Sequence, residues 1–446
     1  MDISVVLPVL NERDNLLILL PRIKSCLERE KLSYEIVVVD GNSTDGTREA
    51  SESLGARVVS ERRRGYAGAL ETGLAEAAGD YVLTLDADLS HDPDFISKMW
   101  RARERGDIVV ASRYTRGGVT YTSFIRNWTS FVLNLVLGRM LSVPCRDMSS
   151  GFRLYRREAL EGITLDSKNF EVQEEVLVRA YARGFSIVEV PFVYFPRGAG
   201  RSHAKLFSFG IDIGRSALRL WKLRNSLDSS DYDERGFYSI IPIQRYWHRR
   251  RHQIVVMWAR GTGRILDAGC GSSMTIQSLN NAVGMDFNLG KLRFLRRYKM
   301  PLVRGSAFAL PFSDQSFDCL ISQEVIEHLP YDEVLFTEMR RVLRPGGVLI
   351  LGTPDYASWL WRTIEPIYGF LMPGGYKDEH ITHYTRASVA ELMTRYGFQI
   401  EEVSYVGRCD LFIRCHKIEL SEPVQAGLAA PASTPTAAAP TAPTAA

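Results

Sequence analysis

No apolar run in this chain is long enough to cross a bilayer. The longest, near Trp128 to Leu137, is about half of what a spanning helix needs, and Asn134 interrupts it. No secretory signal is expected either, because Met1 leads directly into a core strand and Asp2 is acidic. The six cysteines, Cys26, Cys145, Cys270, Cys319, Cys409 and Cys415, include no CxxC pair. That spacing excludes a disulfide framework and a cysteine zinc site, and predicts reduced thiols in a cytosolic protein. A net charge of only +3 excludes a polycation, and no nucleic-acid partner is expected. Internal repeats are absent. Together these absences predict a cytoplasmic protein, soluble or peripheral on the cytosolic face of a membrane.

What is present is a chain that opens twice. Ile3 to Leu10 is a β-branched apolar run ending at a polar turn, Asn11-Glu12, and Arg264 to Asp267 is another, leading into Gly269-Cys270-Gly271. Hydrophobic residues make up 45% of the 446, enough for each half to bury its own core. In the first half, Glu35–Asp40, Arg57–Ser60, Tyr81–Asp86 and Asp107–Ala111 read as strands, and Glu12–Arg29 and Tyr66–Ala78 as helices. In the second, Ile265-Leu266, Ala282–Asp286, Phe317–Ser322, Val348–Thr353 and Ile400–Tyr405 read as strands, with a helix over Asp332–Leu343 stopped at Arg344-Pro345-Gly346-Gly347. Such alternation predicts an α/β chain with two mostly parallel sheets. The predicted organisation is a first domain over 1–226, a polar, acidic linker over 227–240, a second domain over 241–421 and a disordered tail over 422–446, almost entirely Ala, Pro and Thr.

The basic residues cluster. Arg215, Arg219, Lys222 and Arg224 flank Trp221, and Arg245, Arg249, Arg250 and Arg251 flank Trp247. Each group suits either an anionic membrane surface or a plain solvated helix face. Phe124, Ile125, Trp128, Phe131, Val132, Leu135 and Val136 share one face of a helix within Val119–Val143, which suits a membrane interface or a core.

In the first half, Asp86-Ala87-Asp88 ends a strand and puts two carboxylates at the carboxyl edge of a parallel sheet, where ligands bind. Such a pair can hold a divalent cation that also grips a diphosphate. The setting is Leu83-Thr84-Leu85-Asp86-Ala87-Asp88-Leu89-Ser90-His91-Asp92-Pro93. With it come Leu7-Pro8-Val9-Leu10-Asn11-Glu12-Arg13-Asp14-Asn15-Leu16, Val37-Val38-Val39-Asp40 through Thr44-Asp45-Gly46-Thr47, Ser112-Arg113-Tyr114, Ser149-Ser150-Gly151-Phe152-Arg153, and Phe170 to Glu175 followed by Ile187 to Pro191. On these segments the first half resembles a GT-A glycosyltransferase of the dolichol-phosphate mannose synthase type (family 2).

The resemblance implies that Pro8, Asn11, Glu12, Asp40 and Asp45 line the nucleotide. It implies that Asp86 and Asp88, with Ser90 near, hold Mg²⁺ or Mn²⁺ on the diphosphate of a nucleotide sugar, GDP-mannose. Arg113, Arg126 and Ser130 match the positions that hold a polyprenyl or dolichyl phosphate acceptor, and Arg197 lies in the matching mobile loop. Two segments depart from the family pattern: Asp40-Gly41-Asn42-Ser43 replaces Asp-Asp-Gly-Ser, and Gly200 to Lys205 replaces Gly-x-Ser-Lys. The expected reaction is inverting. A phosphate monoester is already anionic at neutral pH and needs no strong general base, so an obvious catalytic histidine is not required.

In the second half, Gly269 and Gly271 let backbone pass close to a ligand, and Asp286 ends the next strand, placed to accept ribose hydroxyl hydrogen bonds. Gly271 is followed by Ser272-Ser273-Met274. The third glycine of a dinucleotide loop is missing, which disfavours NAD. Asp267 to Gly271, Gly284-Met285-Asp286, Gly305-Ser306-Ala307 with Leu310-Pro311-Phe312, Ser316-Phe317-Asp318, Glu324 to Leu329 and Leu343 to Gly347 together resemble the class I S-adenosylmethionine-dependent methyltransferases. That resemblance implies a Rossmann-like domain that binds S-adenosylmethionine independently of the first half. Asp267, Gly269 and Gly271 would form the loop, Asp286 would hold the ribose, Ser306 and Ala307 would border the adenine, and Gln323 would lie near the methionine moiety. The aromatic stretch Pro354–Tyr376 would form either an acceptor lid or a core insertion. His380 and His383 form a His-x-x-His pair, but two nearby ligands without a third do not make a metal site, so a structural or acceptor-binding role is expected.

The functional expectation is a bifunctional enzyme of one glycan or lipid pathway. Two alternatives stay open: a glycosyltransferase acting on a non-lipid acceptor, and a second half that is a non-catalytic ligand-binding or docking module.

Overall fold

The computed structural model describes residues 1–195, 206–371 and 380–419. Two seven-stranded sheets organise the chain. The first is built from β1 (Ile3–Val9), β2 (Tyr34–Asp40), β3 (Arg57–Ser60), β4 (Tyr81–Thr84), β5 (Ile108–Ser112), β7 (Arg153–Arg156) and β8 (Ile187–Pro191), in the order β3-β2-β1-β4-β7-β5-β8. Only β7 runs antiparallel to its neighbours. Two short strands, β6 (Val119–Thr120) and β9 (Val193–Tyr194), pair separately.

The second sheet holds β10 (Ile265–Ala268), β11 (Ala282–Asp286), β12 (Leu302–Arg304), β13 (Phe317–Gln323), β14 (Leu343–Pro354), β15 (Phe398–Val406) and β16 (Asp410–Lys417). Its order is β12-β11-β10-β13-β14-β16-β15, with β16 antiparallel to both neighbours. The expected strands are all present; β12 and β16 are additional in this sheet, as β7 and β8 are in the first. Arg344 to Gly347 lie within the span of β14, and the turn survives locally as Gly346 at φ +70°.

The central strands explain the sequence pattern. Val5, Val6 and Leu7 in β1 and Val37, Val38 and Val39 in β2 are fully buried, as helices on both faces of a parallel sheet require. The helix Arg13–Arg29 covers one face of β1 with Leu16, Leu19, Leu20 and Ile23, and the helix Tyr66–Glu76 covers the other. A Cβ on Gly73 would stand 2.2 Å from Val6, so that helix lies closer to the sheet than any larger residue permits.

In each sheet the strand order reverses beside the first strand: at β1/β4 in one and β10/β13 in the other. Ligand crevices form at the carboxyl ends of strands at such switch points.

The segment between the sheets is packed. Residues 227–240 contain the helix Tyr232–Phe237, and Ser229, Ser230, Asp231 and Tyr232 are buried. Ser230 N donates to Ala182 O at 2.8 Å, and Asp231 binds Arg224 at 2.6 Å. Their acidic and hydroxyl groups are satisfied internally, so a composition that resembles a solvated spacer is buried at low cost. The two halves also touch directly: Arg293 donates to Arg183 O at 3.1 Å and lies over the Phe185 ring at 4.0 Å.

Neither basic cluster is simply a surface patch. Arg224 is fully buried, donating to Leu141 O and to Asp231. Arg251 is buried between Glu324 (2.6 Å) and Asp410 (2.5 Å), and Trp247 Nε1 donates to Asp410 at 2.9 Å. These residues therefore face neither solvent nor a membrane, because each guanidinium has an internal carboxylate partner. Arg215, Lys222, Arg249 and Arg250 are exposed.

Candidate active sites

The first crevice is lined by the ends of β1, β2 and β4. Asn11 takes a left-handed conformation at φ +56°, which lets its backbone N donate to Ser43 Oγ at 2.8 Å while its side chain accepts from Thr44 N at 2.8 Å. Glu12 N donates to Thr47 Oγ1 at 3.0 Å. Asp40, buried at the end of β2, accepts from Ser43 N at 3.0 Å, and Arg48 stands 3.5 Å away. Asp45 accepts from Arg13 N and Thr47 N; partial burial raises its pKa, but the hydrogen bonds from Thr47 and the backbone outweigh that and hold it below its ordinary value. The turns after β1 and β2 thus lock into each other, with Pro8 one step inside β1 opposite Val39.

Asp86 and Asp88 follow β4. Tyr66 Oη donates to Asp86 at 3.3 Å, and Gln173 is hydrogen-bonded in turn to Tyr66. Asp88 is buried and accepts from Ser90 N at 3.1 Å and from Ser90 Oγ. Ser90 is thereby brought to the carboxylate pair. His91 is buried beneath: its Nδ1 accepts from Asp86 N at 3.1 Å, and burial lowers its pKa so that the ring is neutral. A Cβ on Gly151 would lie 3.2 Å from one Asp86 oxygen and 3.4 Å from the other. Glycine there keeps the space over this carboxylate clear, as a cation and its phosphate ligands would need. Tyr66, Gln173 and His91 were not singled out by the sequence; their types carry no signal until the fold sets them under Asp86.

Arg113 is bidentate on Asp147, with Nε at 2.8 Å and Nη2 at 2.6 Å, and Nη2 also reaches Ser149 Oγ at 2.8 Å. Burial alone would lower its pKa, but the Asp147 hydrogen bonds and charge raise it well above the ordinary value. Ser149 bonds both the side-chain amide nitrogen and oxygen of Asn134, and Asn134 donates to Ser130 O at 2.8 Å. Arg113 and Ser130 are therefore joined through Ser149 and Asn134. Asp147 and Asn134 were missed as partners. Arg126 lies one turn before Ser130 on the helix Phe124–Leu141, its side chain outside the described residues, as are Arg197 and the 200–205 loop. On that helix Phe124 (81%), Ile125 (77%), Trp128, Phe131, Leu135 and Val136 are exposed, while Leu137 and Leu141 are buried. No helix among the described residues is long and apolar enough to cross a membrane.

The second crevice contains a cavity lined by residues that include Asp267, Gly269, Gly271, Gln323, Glu324 and His328. Gly269 (φ +82°) and Gly271 (φ +55°) need glycine twice over: a Cβ on the first would meet Val325 at 2.4 Å, and on the second Asp233 Oδ2 at 2.5 Å. Asp286 accepts from Gly271 N at 2.8 Å with one oxygen and Asn288 N at 2.7 Å with the other, which fixes its orientation. Burial, with Asp286 and Asp233 nearby, pushes Asp267 up to about 8. Asp233 comes from the helix Tyr232–Phe237 and accepts from Ser272 N at 2.9 Å and Oγ at 3.0 Å. Ser306 and Ala307 stand beyond β12, outside the described lining of the cavity. The donor set, a glycine loop with acidic acceptors at neighbouring strand ends, fits the ribose hydroxyls of a nucleoside cofactor.

His383 does not join His380. It stacks on Tyr356 at 4.0 Å, while His380 turns inward to Glu365 and Tyr356. In the aromatic stretch, Trp361 is buried against His380, and Trp359 and Phe370 are exposed.

Residues 4–164 match the family described as glycosyl transferase family 2, and residues 266–351 match a methyltransferase domain. The chain is 33% identical over 247 residues to the polyprenol monophosphomannose synthase of Mycolicibacterium smegmatis, covering 50% of this chain and 88% of that one. The chain belongs to glycosyl transferase family 2. To the dolichol-phosphate mannosyltransferase of Pyrococcus furiosus this family 2 chain is 36% identical over 244 residues, covering 51% of its own length and 66% of that relative. A solved S-adenosylmethionine-dependent methyltransferase of Thermotoga maritima is similar at 21% identity and TM-score 0.35, over 41% of this chain and 94% of that one. This family 2 member therefore carries two transferase domains, glycosyltransferase and methyltransferase, on two α/β sheets.

Proposed function

We propose that the first half transfers a hexose, mannose from GDP-mannose, to a polyprenyl phosphate with inversion, and that the second half methylates a component of the same glycan or lipid pathway from S-adenosylmethionine. The observation that carries the reading is the Asp86-Ala87-Asp88 turn at the β1/β4 switch point, with the space above Asp86 kept open by Gly151. The relatives' names, a dolichol-phosphate mannosyltransferase and a polyprenol monophosphomannose synthase, support the acceptor class. The exposed apolar face of the helix Phe124–Leu141 favours a lipid acceptor over a soluble glycan, since Phe124, Ile125, Trp128, Leu135 and Val136 leave contiguous apolar surface exposed among the described residues.

Each group then has a task. Asp86 and Asp88, with Ser90 orienting Asp88, would hold Mg²⁺ or Mn²⁺, which supplies counter-charge for the departing nucleoside diphosphate. The interlocked turns carrying Asn11, Glu12, Asp40 and Asp45 would seat the nucleotide. Asp147 occupies the Nε–Nη2 edge of Arg113 and fixes its plane, so that Arg113, Arg126 and Ser130 would meet the acceptor phosphate at the base of the exposed helix. The acceptor oxygen carries negative charge before attack, and the neutral, buried His91 keeps a structural role. Bound at the cytosolic face of a membrane by that helix, the enzyme would act as a peripheral protein. In the second half Asp267, Gly269, Gly271, Asp286 and Gln323 would hold the methyl donor, with Ser306 and Ala307 at the adenine.

The test is incubation of the purified chain with a panel of nucleotide sugars, Mg²⁺ or Mn²⁺ and a polyprenyl phosphate, with the lipid product identified by mass. A polyprenyl-phosphate hexose from GDP-mannose is expected. Sugar transfer only to soluble acceptors would overturn the reading.

A further inference from the structure

The third ligand that His380 lacks in sequence is supplied by the fold. Glu327, His328 and His380 each offer a ligand atom, and these atoms lie within 4.8 Å of one another. Backbone bonds hold the pieces together: Ile381 N and Thr382 N both donate to Glu327 O, at 2.8 and 3.0 Å. The His328 and His380 rings are 4.8 Å apart.

Three further observations point to a ligand. Glu327 is fully buried, and one of its carboxylate oxygens has no hydrogen-bond partner, while the other is 3.2 Å from Thr353 Oγ1. A buried carboxylate oxygen without a partner is costly. His380 Nδ1 lies 2.7 Å from Glu365 Oε1. A carboxylate at Nδ1 puts the proton there and the lone pair on Nε2, the arrangement that orients an imidazole toward a metal. His328 also lines the cavity of the second crevice, so the cluster stands at its wall.

We propose that Glu327, His328 and His380 form a binding site for a divalent first-row transition cation at the edge of the methyl-donor cavity. Two imidazole nitrogens and one carboxylate oxygen suit Zn²⁺ or Mn²⁺, and three protein ligands leave a position open toward the cavity. Ligands at about 2.0–2.2 Å around one tetrahedral ion lie roughly 3.3 Å apart, so small side-chain rotations close the site. The nearby Arg251 is neutralised by its ion pairs with Glu324 and Asp410. The position of this cation beside a methyl donor rests on the reading of the second half given above; the cation site itself does not.

The experiment uses the full chain carrying Asp88→Asn, which removes an expected cation ligand of the first half. The protein is stripped with chelator and titrated calorimetrically with Zn²⁺ and with Mn²⁺, and metal content is read by mass spectrometry after dialysis. One cation per chain is expected. His380→Ala and the near-isosteric Glu327→Gln should each weaken its Kd at least tenfold, and His383→Ala should leave it unchanged. Absence of a retained cation, or undiminished binding in both His380→Ala and Glu327→Gln, overturns the site. A separate titration with S-adenosylmethionine keeps the two readings apart. Cofactor binding without a cation sinks only the metal site, and cation binding without cofactor sinks only the methyl-donor reading.

Discussion

The carboxylate of Asp233 holds Ser272 by both its backbone N, at 2.9 Å, and its hydroxyl, at 3.0 Å, while Asp233 N donates back to Ser272 Oγ at 3.0 Å. A helix that precedes the second sheet thus secures the loop that follows Gly271. Asp233→Ala is expected to loosen that loop. Loss of charge-assisted hydrogen bonds, worth about 1.5–3 kcal/mol each, should raise the Kd for S-adenosylmethionine about tenfold in the full chain, read by calorimetry. A fragment beginning at residue 240 lacks Asp233 and should bind more weakly than the full chain. Equal affinities would show that the loop holds its shape alone.

Asp88→Asn should reduce sugar transfer at least a hundredfold. Removing one charge-stabilising group from a preorganised site costs about that much in rate, and Asp88 is buried with Ser90 already oriented on it. A transfer assay with labelled donor checks this, and the effect of EDTA on the parent protein should match it. Full turnover in either case would remove the metal from the proposal.

Arg224→Ala should lower stability by up to about 3 kcal/mol, because buried Asp231 would lose its shorter ion pair at 2.6 Å and keep only Arg235 at 3.3 Å as a charged partner. Thermal unfolding would read this as a marked drop in Tm. A change of under one degree would mean that the ion pair contributes little and that Ser229 and Arg235 together satisfy Asp231.

Asp267 makes the second half sensitive to pH. Burial raises its pKa to about 8 in the folded chain, against about 3.9 in an unfolded one. Between those values the folded state holds a proton that the unfolded state has lost, so raising the pH favours unfolding. Its contribution is complete below about pH 4 and disappears as the pH rises through about 8. Asp267→Asn, which cannot ionise, should flatten the decline in stability over that window in denaturant titrations at a series of pH values. A decline of unchanged slope would assign it to another group.

The exposed helix face should bind lipid. Replacing Phe124 and Trp128 by Ser ought to release the protein from anionic phospholipid vesicles in a sedimentation assay. Tm should stay within a few degrees, because neither side chain is buried. Retention on vesicles would move the membrane contact elsewhere.

Much of the architecture was legible because parallel strands buried on both faces must be near-continuous apolar runs, which end where the chain turns polar. Asp40, Asp86, Asp267 and Asp286 stand at strand ends as their positions after such runs imply. β16 was not legible: Asp410–Lys417 mixes Arg, Cys and His into an apolar run, and its place between β14 and β15 depends on antiparallel pairing with two strands elsewhere in the chain.

Residue type and spacing determined the two α/β halves, their order, and the polar and glycine turns at their strand ends. Burial and partnership were decided only in three dimensions. Arg224 and Arg251 looked like surface charges and are interior ones, since a guanidinium's environment depends on which carboxylate the fold brings to it. In sequence His380 has only His383 near it, too little for a metal site; in the fold it meets His328 and Glu327, because side chains separated by more than a few residues converge only through tertiary packing.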